Sequence, residues 1–204
     1  MDLGGGLVVE GSYDLSAHLD CYRLPENLTG TTVLDVGTSS GYFAMECASR
    51  GAGVTAIDLW DSPFAEELFA FSAGTIRYVK QDLYGLDASF GTFDLVICGS
   101  LLLHLPDPVG AFRCLRSVCA GRLVLSTTTI AEDALDPRPL CHFDGIKATD
   151  GDYWAYWGIN AAALVRMATV AGFTSVDFTD HFTLASESEA APWVIPHAVV
   201  GVSV

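Results

Sequence analysis

Short hydrophobic runs alternate with segments of helical character along the chain as far as residue 129. Each run has the length of a buried strand, and each segment between two runs is long enough to form a helix. Strands separated by helices predict right-handed crossovers and an α/β fold with a doubly wound, mostly parallel sheet and helices on both faces. The predicted strands are 32–36, 54–59, 75–82, 93–100 and 122–129, and the predicted helices are 42–50, 65–73 and 107–121.

The alternation stops after residue 129. Residues 130–158 hold prolines, glycines and several aromatic residues without clear periodicity, which is typical of a functional lid, so we predict a substrate lid insertion there. A helix follows, with Ala161, Leu164, Met167 and Ala168 on one face and Gly172 as its stop signal. Two further strands, TSVDFTD and HAVVGVSV, are joined by a loop. We therefore expect a seven-stranded sheet whose last strand is antiparallel, with this last pair of strands as an antiparallel addition at one edge.

Length and composition favour one globular domain. The chain has 204 residues, of which 50% are hydrophobic and 17% are charged, so we predict a single domain over 1–204 with an N-terminal helical segment over 1–30. The six cysteines show no CxxC pair and no zinc-ligand spacing. No signal-peptide pattern and no run of about 20 apolar residues is present. We expect a cytoplasmic protein without a metal.

The charge balance bears on the partner. Ten basic residues stand against 25 acidic ones, for a net charge of −15, and the basic residues are not clustered. Nucleic acid and anionic membranes are therefore disfavoured as partners. A neutral or cationic small molecule is more compatible with the negative electrostatic field of the protein. The apolar final strand could pair with a second chain, so both a monomer and a homodimer stay open.

The stretch VLDVGTSSGYFA (33–44) predicts a tight turn from a strand into a helix. It lacks the Gly-Lys-Ser/Thr of a phosphate-binding P-loop and the second glycine of the dinucleotide fingerprint, which disfavours NAD. Asp35 lies two residues before Gly37, where a carboxylate repels a pyrophosphate but accepts hydrogen bonds from an ammonium group. The loop therefore predicts a cofactor that carries an amine and no phosphate.

Four motifs in order resemble those of class I S-adenosylmethionine-dependent methyltransferases. They are LDVGTSSG, AIDL, KQDL and FDLVICGSLLLHLPDP. AGF (171–173) also resembles the pattern of this family. Within that family the chain resembles the small-molecule branch and the branch of tRNA wobble-uridine enzymes, which transfer a methyl or carboxymethyl group. The resemblance implies a Rossmann-like methyltransferase fold, with S-adenosylmethionine as cofactor and S-adenosylhomocysteine as product.

The resemblance also implies a cofactor site. Asp35 and the 37–41 loop would hold the methionine end, Asp58 both ribose hydroxyls, and Asp82 the adenine amino group. In simpler interpretations the glycines serve only the turn, and Asp58 caps a helix. The predicted cofactor contacts are Asp35, Gly37, Thr38, Ser39, Gly41, Asp58, Leu59, Gln81, Asp82, Leu83, Gly99 and Ser100.

Two histidines are candidate general bases. His104 follows the fourth strand and His142 lies in the predicted lid, and either imidazole could take a proton from a hydroxyl near neutral pH. A structural role for His104 and core packing of the aromatic residues are the simpler alternatives. The predicted substrate contacts are Tyr13, Tyr153, Trp154 and Trp157, whose rings suit a planar, apolar or cationic acceptor.

The predicted reaction is in-line methyl transfer to an O-, N- or C-nucleophile of a small molecule, as in a biosynthetic enzyme. Three alternatives remain at this point. They are carboxymethyl transfer, which requires a nearby cation such as Arg23, Lys80 or Lys147; a protein that binds S-adenosylmethionine without transferring its methyl group; and an NAD-dependent oxidoreductase.

Overall fold

A computed structural model describes residue 9 and residues 13–72, 75–147, 154–186 and 193–204. A seven-stranded sheet with strand order β3-β2-β1-β4-β5-β9-β8 forms the centre, and β6 and β7 form a separate two-stranded sheet. The strands are β1 (Thr32–Val36), β2 (Gly53–Asp58), β3 (Ile76–Lys80), β4 (Phe93–Gly99), β5 (Cys119–Thr128), β6 (Cys141–Lys147), β7 (Trp154–Ile159), β8 (Ser175–Ala185) and β9 (Val194–Ser203). The α-helices are α1 (Tyr42–Ser49), α2 (Pro63–Phe69), α3 (Pro108–Val118) and α4 (Ala161–Ala171), and 3₁₀ helices cover Ser16–Tyr22, Leu83–Gly85, Leu102–His104 and Ala131–Asp133.

The sheet confirms the predicted doubly wound, mostly parallel topology with an antiparallel last strand. The five strands β1 to β5 pair in parallel, and β9 pairs antiparallel with both β5 and β8. The antiparallel addition at one edge of the sheet consists of β9 and β8. The expectation that the final strand β9 could pair with a second chain is wrong, because β9 lies between β5 and β8 and has no open edge. Ala198, Val199, Val200 and Val202 of β9 are fully buried, as in a strand covered on both faces, whereas β8 alternates and forms the edge.

Two hydrophobic cores lie on opposite faces of the sheet. One includes Phe112 of α3 and Leu164 of α4. The other includes Phe43 of α1 together with Tyr22 of the first 3₁₀ helix. Helices therefore cover both faces of the sheet, as the alternating pattern predicts.

Side chains define the ends of the later helices. Asp107 accepts a hydrogen bond from the Gly110 amide at 2.8 Å and precedes Pro108, the first residue of α3. Asn160 caps α4 by accepting from the Ala163 amide at 2.9 Å. Gly172 ends α4 with φ 102°, as its predicted role as a stop signal requires.

Two boundaries differ from the sequence predictions. The helix predicted over 107–121 ends at Val118, and β5 begins at Cys119. Gly121 therefore lies within β5, where a Cβ would collide with the carbonyl oxygen of Asp94 on β4. In the described part of the N-terminal segment, the helical stretch is the 3₁₀ helix Ser16–Tyr22.

The region predicted as a lid without periodicity contains the hairpin formed by β6 and β7. The hairpin pairs Phe143 with Trp157 and shifts register between Phe143 and Ile146. Its base is held by Asn160, whose side-chain amide donates to the carbonyl oxygens of Asp133 and Arg138. Among the described residues, no helix is long and apolar enough to cross a membrane.

Candidate active site

The candidate site lies at the edge of the sheet where the parallel strands β1, β2, β4 and β5 have their carboxyl ends, which is where doubly wound folds bind ligands. The glycine loop follows β1. The amides of Gly37 and Thr38 both donate to the Ile57 carbonyl, at 2.9 and 3.0 Å, so the loop is attached to the end of β2. Gly37, Ser39 and Gly41 have φ values of 72°, 48° and 86°.

Two properties favour glycine at both positions of the loop: the left-handed backbone conformation and the close approach of a neighbouring side chain. A Cβ at Gly37 would lie 2.8 Å from Cδ2 of Leu101, and a Cβ at Gly41 would lie 2.5 Å from Cε1 of Phe69. A larger residue at either position would therefore have to push the Leu101 or Phe69 side chain aside as well as strain the backbone.

Asp35 is buried beneath this loop, with 1% of its surface exposed. Its Oδ2 accepts hydrogen bonds from the Thr38 hydroxyl at 2.7 Å and from the Ala44 amide at 3.1 Å. Burial raises the pKa of Asp35 to about 6, although both hydrogen bonds act in the opposite direction. A carboxyl group in such a place favours a cationic neighbour, because a positive charge restores its ionised form.

Asp58 stands at the end of β2 and fixes the shape of the loop. Its Oδ2 accepts from the Ser39 amide at 2.9 Å, and its Oδ1 accepts from the Trp60 amide at 3.3 Å. The carboxylate is partly exposed and Leu59 beside it is 49% exposed. The side chain therefore combines a structural contact with access from the site.

The turn after β3 carries the residues predicted to bind adenine. Asp82 caps the 3₁₀ helix Leu83–Gly85 by accepting from the Tyr84 amide at 3.0 Å, and it is exposed. Gln81 donates from Nε2 to the Asp82 carbonyl at 2.9 Å, whereas Leu83 is buried. The turn is thus ordered by its own hydrogen bonds and lies next to the end of β2.

The turn after β4 is supported by Ser126 and Tyr22, which were not among the predicted site residues. Ser100 has φ 52°, and its amide donates to the Ser126 carbonyl at 2.9 Å. The Ser126 hydroxyl lies 2.8 Å from the hydroxyl of the fully buried Tyr22. The Tyr22 ring packs on Phe43 with centroids 4.7 Å apart, and Phe43 covers Gly99. A lone tyrosine in an N-terminal segment gives no sequence signal for this contact.

His104 connects the turn after β4 to the hairpin. Its Nδ1 lies 2.8 Å from the Trp154 carbonyl oxygen. Since a carbonyl oxygen can only accept, Nδ1 carries the proton, and the basic lone pair of the neutral ring is on Nε2. Burial lowers the pKa of His104 below its usual range, which favours the neutral ring at physiological pH.

His142 has a different environment. Its Nε2 lies 2.5 Å from Oδ2 of Asp133, and 45% of its side chain is exposed. The structure therefore places the two candidate bases on different supports, His104 at the sheet and His142 on the outer part of the hairpin base.

The aromatic residues predicted to contact substrate form two groups. Trp154 stacks on Tyr156 at 6.3 Å, and Trp157 meets Phe143 edge to face at 5.2 Å, both on the hairpin. Tyr13 meets Trp193 edge to face at 5.8 Å near the start of β9. Tyr153 lies outside the described residues.

The carboxyl end of β5 carries three consecutive threonines that were also not selected. The Thr128 hydroxyl donates to the Trp157 carbonyl at 3.1 Å, whereas the hydroxyls of Thr127 and Thr129 are buried without a hydrogen-bond partner among the described residues. The sequence signal that could have identified them is a run of polar residues at the end of an otherwise buried strand.

Over the part of the chain that the structure describes, no group of His, Cys, Asp and Glu is arranged to hold a metal ion.

Comparison with known sequences identifies similar proteins. A family model described as a methyltransferase domain matches residues 15–177. The ubiquinone biosynthesis O-methyltransferase of Pseudomonas paraeruginosa is 31% identical over 177 residues, which cover 78% of this chain and 75% of that protein. The enzyme of the same name from Pectobacterium atrosepticum is 36% identical over 107 residues, which cover 50% of this chain and 44% of that protein.

Solved structures share the fold. An S-adenosylmethionine-dependent methyltransferase from Mesorhizobium loti superimposes with a TM-score of 0.67 at 19% identity, covering 92% of this chain and 98% of that one. The 1,6-didemethyltoxoflavin-N1-methyltransferase of Burkholderia thailandensis, solved with its substrate and S-adenosylhomocysteine, gives 0.63 at 20% identity, covering 93% and 74%.

Proposed function

The chain belongs to the class I S-adenosylmethionine-dependent methyltransferase family and methylates a small molecule, and on this premise we propose that the acceptor atom is a hydroxyl oxygen. A hydroxyl must lose its proton during the transfer, so an enzyme of this kind benefits from a neutral base beside the acceptor. His104 carries this proposal, because its protonated Nδ1 is held by Trp154 and its lowered pKa keeps the ring neutral. The names of the relatives, which are O-methyltransferases, agree with it.

The residues at the edge of the sheet fit the cofactor. Asp58 presents a partly exposed carboxylate to the ribose hydroxyls, and the buried Asp35 suits a cofactor whose amino acid portion is cationic. Two acids at this place disfavour the pyrophosphate of NAD. The other proposed contacts are Gly37, Thr38, Ser39, Gly41, Leu59, Gln81, Asp82, Leu83, Gly99 and Ser100.

The protein's own contribution to the reaction is alignment and proton transfer. When bound, S-adenosylmethionine supplies an activated methyl group on its sulfonium. His104 would accept the hydroxyl proton at Nε2 while the methyl carbon exchanges its bond to sulfur for the new bond to oxygen, and the hairpin would keep water away from the reacting atoms. His142, held by Asp133, is the second candidate for this base.

The segment 130–158 acts as the substrate lid in this proposal. Trp154 and Trp157 would line its inner side, and Tyr13 would close the site from the N-terminal segment. Aromatic rings at these places suit a planar acceptor.

The setting of the enzyme follows from its charge and composition. The net charge of −15 supports a small-molecule acceptor, with no nucleic acid or membrane as partner. The compartment that we propose is the cytoplasm. A single domain that acts as a monomer or homodimer would be sufficient for this reaction.

The positions of the basic residues favour a methyl donor over a carboxymethyl donor. Arg23 pairs with Asp180 at 3.3 Å, and Lys80 pairs with Asp61 at 2.6 Å. Two of the three cations considered for a cofactor carboxylate therefore already have acidic partners. The alternative of a protein that binds S-adenosylmethionine without transferring the methyl group is distinguished by its product, because such a protein forms no methylated compound.

Two measurements test the proposal. Calorimetric titration with S-adenosylmethionine and S-adenosylhomocysteine should show binding to the wild type and none to Asp58→Ala, while Asp61→Ala, an exposed acid of the same loop, binds normally. Mass spectrometry should then detect methylated phenols, and not methylated anilines, after incubation with S-adenosylmethionine. Methylation of anilines alone would contradict the assignment of a hydroxyl oxygen.

A further inference from the structure

One face of β5 changes from apolar to polar at the edge where the site lies. Leu123 and Leu125 are buried in the core covered by α3 and α4. Thr127 continues the same face, because alternate residues of a strand point to the same side, and Thr129 follows it in register. The Thr129 amide still bonds the Pro196 carbonyl at 2.9 Å, so the chain remains extended beside β9 there.

Both threonines are buried, with 0% of Thr127 and 6% of Thr129 exposed. Neither hydroxyl has a hydrogen-bond partner among the described residues. A buried hydroxyl without a partner destabilises a fold, and in native proteins such groups usually bind a ligand or a water molecule.

The indole of Trp157 adds a third such group beside the same face. Its Nε1 is buried and also lacks a partner in the described part of the chain. The ring packs against the core to which Leu123 and Leu125 belong, and the Thr128 hydroxyl holds the Trp157 carbonyl at 3.1 Å. Three polar atoms without partners among the described residues therefore lie on β7 and at the carboxyl end of β5, which are in contact through this bond.

The place of this cluster in the sheet separates it from the cofactor contacts. Going from β2 to β5 takes three steps between neighbouring strands, through β1 and β4, which amounts to about 14 Å. Asp58 at the end of β2 marks the proposed ribose side. Thr127 lies beyond β4 on the opposite side, next to the hairpin proposed as the lid.

We propose that Thr127, Thr129 and Trp157 bind the polar edge of the methyl acceptor and determine which acceptor is used. The proposal deepens the proposed function and rests on it. An indole N–H can only donate, so the acceptor must present a hydrogen-bond-accepting atom there, such as a carbonyl oxygen. The three protein atoms are uncharged, which suits an uncharged group. The acceptor class is thus a planar phenol with a carbonyl group on its ring.

Access to these atoms depends on the hairpin. The bonds from Thr128 to the Trp157 carbonyl and from His104 to the Trp154 carbonyl tie β7 to the sheet. A planar ligand reaches the threonines when β7 lifts, so that Trp157 becomes the roof over the ligand.

The first test needs no ligand. Valine has the shape of threonine without the hydroxyl, so Thr127→Val and Thr129→Val should each raise the melting temperature by about 2 °C, because an unpartnered buried hydroxyl is removed. Thr128→Val is the matched control, and it should lower the melting temperature because it loses the bond to Trp157. A decrease for Thr127→Val and Thr129→Val would show that these hydroxyls serve the fold, and it would overturn the proposal.

The second test measures acceptor binding by calorimetry in saturating S-adenosylhomocysteine. The probes are 2-, 3- and 4-hydroxybenzaldehyde, each paired with the methylphenol in which a methyl group replaces the aldehyde. The wild type should bind at least one hydroxybenzaldehyde more tightly than its methylphenol. Thr127→Val and Trp157→Phe should each reduce that affinity about tenfold and leave the affinity for S-adenosylhomocysteine unchanged.

The outcomes separate this inference from the proposed function. Equal affinity for aldehyde and methylphenol, or binding of none of the six probes to a wild type that binds S-adenosylhomocysteine, would overturn the acceptor site alone. Failure of the wild type to bind S-adenosylhomocysteine would overturn the cofactor assignment and with it the present inference.

Discussion

The hydroxyl of Tyr22 lies 2.8 Å from the hydroxyl of Ser126, a residue 104 positions later in the chain. This bond joins the first 3₁₀ helix to the carboxyl end of β5. Ser126 in turn accepts from the Ser100 amide through its carbonyl oxygen at 2.9 Å. The N-terminal segment is therefore linked to the turn proposed to contact the cofactor.

Replacing Tyr22 by phenylalanine tests this link. Tyr22→Phe keeps the packing on Phe43 and removes the bond to Ser126, so we expect the free energy of unfolding to fall by about 1 kcal/mol. We also expect weaker binding of S-adenosylhomocysteine, because Ser100 loses support. Urea denaturation and calorimetry measure the two effects. Tyr42→Phe is the control, since the Tyr42 hydroxyl makes no hydrogen bond among the described residues, and equal behaviour of both variants would contradict the link.

The raised pKa of Asp35 predicts how pH affects cofactor binding. The carboxyl has a pKa of about 6 in the folded protein, and a cationic amino acid group binds its ionised form. The affinity for S-adenosylhomocysteine should therefore rise about tenfold between pH 5 and pH 7. Calorimetry across this range measures it. The rise should disappear in Asp35→Asn, which should also bind more weakly at pH 7; a rise that persists in this variant would assign the effect to another group.

The same shift predicts a gain in stability for Asp35→Asn. Because the folded pKa of about 6 exceeds the ordinary value of 3.8, the folded state binds the proton more tightly than the unfolded state. The contribution of this carboxyl to stability is thus complete below pH 3.8 and is lost as the pH rises through 6. At pH 7.5 the wild type carries a buried charge that the variant lacks, so the variant should need more urea to unfold. A lower urea midpoint for the variant would contradict the proposal that the buried charge of Asp35 destabilises the wild type.

The role of His104 as a base predicts a defect in turnover. His104→Asn keeps a side-chain donor near the Trp154 carbonyl, so we expect S-adenosylhomocysteine to bind normally while kcat falls by roughly 10²-fold to 10³-fold. In the wild type, kcat/KM should decline only below about pH 6.5, because the pKa of His104 is lowered. Steady-state kinetics with an active phenol measures both quantities. If His142→Asn instead causes the loss, His142 is the base.

Asn160 is predicted to matter for stability. Its buried amide donates to three carbonyl oxygens of the loop before β6, those of Asp133, Asp136 and Arg138. Asn160→Asp keeps the cap on α4 but turns these donors into an acceptor, so we expect a loss of about 3 kcal/mol in the free energy of unfolding. Asn27→Asp is the control, since Asn27 only accepts, from the Thr29 amide at an exposed turn. Similar unfolding curves for the two variants would contradict this role.

Local patterns were sufficient to predict the parallel half of the fold. The strands β1 to β5 lie within a few residues of their predicted positions, since each is a short apolar run between helices. Gly121 was placed at the end of the helix predicted over 107–121, because the sequence does not distinguish a glycine near a helix end from one that a close approach to Asp94 requires. The position of β9 depends on which strand edges remain open, and that is a property of the assembled sheet.

The position of the candidate residues at one edge of the sheet was predictable where they stand at the end of a strand or directly after it. The order of motifs was sufficient to place the loop after β1 and Asp58 at the end of β2 there. Tyr22 and Asn160 gave no such signal, because their partners Ser126 and Asp133 are distant in sequence. The threonines of β5 were visible as a polar end to a buried strand, but their lack of partners emerges only once the hairpin lies beside them.

The insertion of β9 affects how the protein folds. Val33 of β1 pairs with Val54 of β2 and with Leu95 of β4, which are 21 and 62 positions away, whereas β9 places Ser203 opposite Arg122, 81 positions away. Closing such a long loop is slow, because its entropy is lost before the contacts form. During synthesis the glycine loop can therefore assemble early, while β5 waits with one unpaired edge. That exposed strand is where we expect chaperones to bind or aggregation to begin, and substitutions that delay β9 should lower the yield of folded protein before they affect its activity.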